Sequence, residues 1–217
     1  IAWVNFVKEN SHDSIIVQNL HAELEQSNSP LSKAKLGYLY RKGIGVKKNE
    51  KKALTYLIPA SLEEDSFAQY NLGHMYSKGV QFDSDKNKAR TFYIMAANNG
   101  NPFAQHNLGS YYYQKSKRVN PEKNMQLAIH WYLKSAKQNL PESQTALGIL
   151  YAKLSKKSKL KNQKQQFKEL ALEYYQKAAQ QGFAYGQYQL ATYYKKLKED
   201  DTKDQNLATY WFKRSCS

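Results

Sequence analysis

One phrase recurs along the chain and restricts its fold more than any other feature. It reads Leu36-Gly37-x-x-Tyr40, Leu72-Gly73-x-x-Tyr76, Leu108-Gly109-x-x-Tyr112 and Leu147-Gly148-x-x-Tyr151, with a fifth copy at Leu190-Ala191-x-x-Tyr194. The leucines step by 36, 36, 39 and 43 residues. A period of this size marks an array in which each unit buries its apolar face only against its neighbours.

A second phrase alternates with the first. It starts at Ala53, Ala89, Ala128, Ala171 and Ala208. Bulky residues follow three and four places on (Tyr56/Leu57, Phe92/Tyr93, Trp131/Tyr132, Tyr174/Tyr175, Trp211/Phe212). Small ones follow seven and eight places on (Ala60/Ser61, Ala96/Ala97, Ser135/Ala136, Ala178/Ala179, Ser215/Cys216). That spacing is one face of an α-helix. Each unit therefore reads as two helices, A carrying the Leu-Gly pair and B carrying the alanine phrase.

From each helix B alanine to the next leucine the distance is always 19 residues, whereas from leucine to alanine within a unit it is 17, 17, 20, 24 and 18. The invariant B-to-A junction is expected to be tight, and the A-to-B connection to be a surface loop that absorbs insertions. Gly100, Gly182 and, at the matching place, Asn139 suit a left-handed helix end. Pro30, Pro102 and Pro141 suit the first turn of the next helix. The leucine of each Leu-Gly pair should be buried, contributing about 1.5–3 kcal/mol.

The order A-x-x-x-L-G-x-x-Y-x-x-G followed by K-A-x-x-aromatic-aromatic-x-x-A-A-x-x-G resembles the Sel1-like repeat, a relative of the tetratricopeptide repeat. The second repeat carries it in Ala68, Leu72, Gly73, Tyr76, Gly79, Lys88, Ala89, Phe92, Tyr93, Ala96, Ala97 and Gly100, and the first repeat adds Gly43, Gly45 and Val46. The resemblance covers about residues 31–217, in repeats at about 31–66, 67–102, 103–141, 142–184 and 185–217. It implies an all-α superhelical solenoid of helix-turn-helix repeats. It further implies a non-enzymatic scaffold or adaptor, as in bacterial envelopes, host–pathogen interaction and eukaryotic membrane-complex assembly.

There are departures. Pro59 inside a helix B is expected to kink or shorten it. Lys115, Leu154 and Leu197 stand where Gly43 and Gly79 stand. Residues 1–30 match poorly and read as a degenerate helix pair, roughly 1–9 and 12–27, with Val17, Leu20 and Leu24 at helical spacing. The last helix B has no polar cap after it, which reads as a portion of a longer array.

In the tetratricopeptide relatives, helices A line the concave surface. The helix A positions opposite the packing stripe are then candidates for partner binding: Tyr38, Arg41, Tyr70, His74, Ser77, His106, Ser110, Tyr113, Tyr188, Thr192 and Lys195. Phe67 and Phe103, also on this side, are expected to pack between helices. The net charge of +15 admits an acidic protein partner, nucleic acid or an anionic membrane surface. Its densest run, Lys153, Lys156, Lys157, Lys159, Lys161, Lys164 and Lys168, contains no acid until Glu169 and falls in the long fourth insertion. A solvated loop and helix start is the first reading of this run; a binder of RNA or anionic lipid is the alternative.

Nothing in the chain has the spacing of a catalytic or metal site: the five histidines form no H-E-x-x-H, and neither G-x-S-x-G nor a P-loop occurs. Cys216 takes an alanine place and is expected to be packed. No catalytic residue, metal or cofactor is expected; a cell-wall-related enzyme module is the remaining alternative. The expected partner is another protein or peptide, of acidic character where lysines are engaged. Nucleic acid ranks below it, and membrane contact would be peripheral. With 18 Tyr and much Lys, Asn and Gln, the composition leans toward an AT-rich bacterial genome. The start at Ile1 leaves room for an upstream signal peptide, so the periplasm or exterior is the favoured compartment.

Overall fold

The computed structural model describes residues 2–79, 85–197 and 202–216. Among them lie twelve α-helices and no strand. A short pair, α1 (Ala2–Glu9) and α2 (Ser14–Gln26), precedes ten helices that alternate as A and B: α3 (Pro30–Lys42), α4 (Glu50–Leu62), α5 (Ser66–Lys78), α6 (Lys86–Asn98), α7 (Pro102–Ser116), α8 (Pro121–Ala136), α9 (Pro141–Lys157), α10 (Lys161–Gln180), α11 (Ala184–Leu197) and α12 (Thr202–Ser215). Among the described residues no helix is long and apolar enough to cross a membrane. The helices form two compact units, residues 1–107 and 108–217.

Within each unit the two phrases meet as the periodicity requires. Leu36, Leu72, Leu108, Leu147 and Leu190 are all buried, as are the phrase-opening alanines Ala53, Ala89, Ala128, Ala171 and Ala208. The glycine of the Leu-Gly pair is demanded by close approach. A Cβ on Gly37 would lie 2.5 Å from Leu57 Cγ, on Gly73 2.9 Å from the Tyr93 ring, and on Gly109 and Gly148 2.6 Å from the rings of Tyr132 and Tyr175. Each of these neighbours is the fourth residue after its helix B alanine, so helix A presses its bare backbone onto the bulky side of its own helix B.

The B-to-A junctions turn through a residue with positive φ: Glu64 at 61°, Gly100 at 91°, Asn139 at 59° and Gly182 at 76°. A buried glutamine three residues before each leucine then reaches back across the junction. Gln69 Nε2 donates to the Ser61 carbonyl (3.3 Å), Gln105 to Ala97 (3.0 Å), Gln144 to Ala136 (3.5 Å) and Gln187 to Ala179 (3.3 Å). These carbonyls end helices B and also accept the backbone N–H of the turn residue, Glu64, Gly100, Asn139 or Gly182, so each junction is closed by a backbone and a side-chain bond to one oxygen. In the first repeat Lys33 holds this place and pairs instead with Glu63 (3.1 Å).

Three expectations are corrected. The extra length of the fourth repeat does not form a loop: α9 has 17 residues and α10 has 20, against 13 each in α3 and α4, and only residues 158–160 connect them. Gly43 and Gly79 end α3 and α5 in the left-handed conformation (φ 72° and 67°); Lys115 and Leu154 have no such freedom, and α7 and α9 run on past them. Pro59 does not shorten its helix, because it lies in the last turn and forfeits one bond there, while Ala60 and Ser61 beyond it are buried. Cys216 is exposed rather than packed. The A-to-B connection of the second repeat, residues 80–84, lies outside the described residues.

Candidate functional site

In unit 1 the chain's own first helix covers the helix A face at Tyr38 and Phe67. Tyr38 is buried: the Trp3 ring of α1 meets it edge-on at 5.7 Å, and Phe67 lies against it at 5.4 Å. Trp3 also meets Phe67 at 6.0 Å. Tyr38 is therefore core, and the expected concave row is closed at its first repeat. Tyr70 is half-buried between Tyr93 and Phe103, with ring centroids 5.7 and 5.8 Å away. Burial raises the Tyr70 hydroxyl's pKa and pushes that of Tyr93 up to about 12.

Beside this aromatic layer, Arg41 lies over the Tyr38 ring at 5.5 Å and donates through Nη1 to His74 Nδ1 at 3.3 Å. A guanidinium can only donate, so Nδ1 accepts and His74 is neutral. Burial, followed by the charges of Arg41, Lys78 and Lys42, lowers the His74 pKa to about 4. These residues, with Lys48, Glu50 and Met75, line a cleft of about 300 Å³. Its positive charge is partly answered, since Lys48 pairs with Glu50 at 2.8 Å. Ser77 is exposed, and His106 is half-buried.

Unit 2 is more open. Tyr188 on α11 is 48 % exposed and meets Phe212 of α12 edge-on at 5.8 Å. With Thr192, Lys195 and Lys196 these rings line a cleft of about 610 Å³. Tyr113 lies between two cations, Lys117 over its ring at 4.8 Å and Lys153 at 5.2 Å, and Lys153 Nζ donates to its hydroxyl at 2.6 Å. Ser110 is engaged with the Tyr132 hydroxyl at 2.9 Å. Lys156, Lys157, Lys159, Lys161 and Lys164 are all exposed, but Lys156 and Lys164 also border a cavity. With Lys168 and Lys196 they surround this second, smaller cavity of about 200 Å³ between α9, α10 and α11, floored by Ala152, Ser155, Tyr175 and Tyr193.

The participation of Lys196, Gln189 and Tyr193 was not read from sequence. The available signal was spacing: Lys164 and Lys168, and Thr192 and Lys196, are each four apart on a helix and so share a face. The cover over Tyr38 had no periodic signal, because Trp3 belongs to no repeat. Among the described residues no group of three or more His, Cys, Asp or Glu could hold a metal ion.

The Sel1 repeat family matches five times in succession, at residues 30–65, 66–101, 102–140, 141–183 and 184–217. The chain belongs to the Sel1 repeat family. Solved structures agree. A Sel1 repeat protein from Oxalobacter formigenes superposes with a TM-score of 0.71 at 25% identity, over 95% of this chain and 82% of that one. A protective antigen of uropathogenic Escherichia coli, c5321, which displays an SLR fold, gives 0.53 at 25% identity, over 86% of this chain and 46% of that one. Immunity protein PA5088 from Pseudomonas aeruginosa gives 0.60 at 19% identity, over 97% and 81%, and speaks for the fold alone. No curated protein matches the chain in sequence. Sel1 repeats generally mediate protein–protein interaction, and scaffolds of this kind are generally non-enzymatic.

Proposed function

We propose that this Sel1 repeat protein is a scaffold that binds a peptide segment of a partner protein on the helix A face of unit 2, centred on Tyr188, Thr192 and Lys195. The observation that carries this reading is the open cleft of about 610 Å³ with Tyr188 and Phe212 on its wall. Its size falls within the range of ligand sites, and an exposed aromatic beside a cation is a common binding anchor. Lys195 and Lys196 favour an acidic segment. The Oxalobacter formigenes and Escherichia coli sources of the two relatives at 25% identity support a bacterial origin. Arg41, His74, Ser77, His106 and the Tyr70 edge offer a smaller surface in unit 1; Tyr38 is left out, being covered.

The test is selection of peptides from a displayed random library on the intact chain, followed by calorimetric titration of a selected peptide. Tyr188→Ala with Lys195→Ala is expected to weaken it about tenfold or more, a loss of at least about 1.4 kcal/mol, with the melting temperature unchanged. Tyr70→Ala with Tyr113→Ala should weaken it less. Undiminished affinity in the first double variant would move the site off α11.

A further inference from the structure

We infer that the cavity between α9, α10 and α11 is a binding pocket for phosphate-class polyanions, built by the helical extension of the fourth repeat. Four lysines from three helices converge on it: Lys156 from α9, Lys164 and Lys168 from α10, and Lys196 from α11. Lys168 is half-buried and the other three are exposed at the rim, and all four border one cavity of about 200 Å³. Among the described residues no acid pairs with any of them, the only ion pair in unit 2 being Lys177 with Glu173. The acidic run Glu199, Asp200 and Asp201 lies outside the described residues.

Further features add to the positive potential. Helix α10 starts at Lys161, three residues before the cavity-lining Lys164, and has no acid in its first turn. The Gln189 amide and Thr192 hydroxyl border the cavity and engage in no hydrogen bond among the described residues. The rear wall is fixed: Tyr193 donates to the Lys168 carbonyl at 2.9 Å, and Tyr175 is buried. A ligand carrying two or more negative charges can be shared by several of these cations at once. Lysine is a point-charge donor suited to phosphate oxygens without demanding the planar geometry that arginine does. The cavity lies below the size range of sites for drug-sized ligands, so a phosphate or pyrophosphate group fits the space better than a whole nucleotide.

The phosphate can belong to a free anion or to a lipid headgroup, and two probes separate them. Inorganic pyrophosphate is titrated calorimetrically into the intact chain at low salt. Sedimentation is then measured with phosphatidylcholine vesicles with and without phosphatidylinositol bisphosphate. Lys164→Gln with Lys196→Gln is compared with Lys157→Gln and Lys159→Gln, which removes the same charge outside the cavity. The expected result is saturable pyrophosphate binding that falls about tenfold or more in the first variant and less than about twofold in the second, both melting like the parent. Sedimentation with the same dependence on Lys164 and Lys196, without pyrophosphate binding, would assign the pocket to a headgroup. Equal weakening by both variants, or no saturable binding of either probe, overturns the proposal. Tyr188→Ala should leave pyrophosphate binding intact, so this test and that of the peptide site can fail separately.

Discussion

The first and fourth repeats start from the same plan and spend their A-to-B connections differently. In the first, α3 stops at Gly43, and residues 43–49 lead to α4. In the fourth, α9 passes the equivalent Leu154 and ends at Lys157, and residues 158–160 lead to α10. At 1.5 Å per residue, α9 is about 6 Å longer than α3 and α10 about 10 Å longer than α4. A glycine that can take positive φ ends the helix and leaves the length to a loop; without it the added residues continue the helix. The loop of the first repeat lies back on α2, where Gly45 leaves no room for a Cβ beside Val17. The extended helices of the fourth instead raise lysines around a cavity.

Four outcomes would break or sharpen this comparison. The largest concerns what the two repeats share. Leu36→Ala and Leu147→Ala should each cost about 2–5 kcal/mol in urea denaturation; a cheap Leu147→Ala would mean that the fourth repeat has a different core. Gly148→Ala comes next, because its methyl would press on the buried Tyr175 ring at 2.6 Å. A net cost of about 1–3 kcal/mol is expected despite alanine's better helix propensity. Third, Gly43→Ala should cost about 1–2 kcal/mol, since φ is 72° there. The reciprocal Leu154→Gly should lower helix content by circular dichroism and weaken pyrophosphate binding by letting α9 end before Lys156. If helix content holds, glycine is not what sets helix length.

The smallest effect belongs to unit 1. The pKa of His74 is lowered to about 4, so the unfolded chain takes up its proton first as pH falls. The stability tied to this group is fully present above about pH 6.5 and is lost progressively toward pH 4. The wild type should therefore lose stability relative to His74→Gln between pH 6.5 and 5, before most carboxylates titrate. Parallel curves would mean that His74 is charged in the folded chain and does not accept from Arg41.

Much of this was legible in the residues. The five leucines, the alanine phrases and the left-handed turns at Gly100, Asn139 and Gly182 stand where the periods place them, because burial repeats with the helix period. The destination of the fourth insertion was not legible from length alone; the missing glycine at position 154 was the clue, and its weight depends on how the added lysines and leucines favour helix. Burial of Tyr38 was hidden because its cover, Trp3, comes from outside the repeats. The glutamines at 69, 105, 144 and 187 were in plain sight, spaced like the leucines. A polar residue in an apolar pattern reads as surface until its carbonyl partner is known.

Those four glutamines have a consequence for how such chains change over evolutionary time. Each ties a helix A to the end of the preceding helix B, so trimming or adding residues at that junction would leave a buried glutamine amide without its carbonyl, at about 1–3 kcal/mol. At the opposite end the ties vary from hairpin to hairpin: Asn49 N–H donates to the Tyr40 carbonyl at 2.9 Å and Asp85 N–H to that of Tyr76 at 3.1 Å, while the short link of residues 158–160 carries no such backbone bond from one helix to the other. Innovation is thereby channelled to the tips. A single hairpin can be stretched, recharged or grafted from a cousin while its neighbours continue to interlock, and one array can diversify tip by tip without renegotiating its spine.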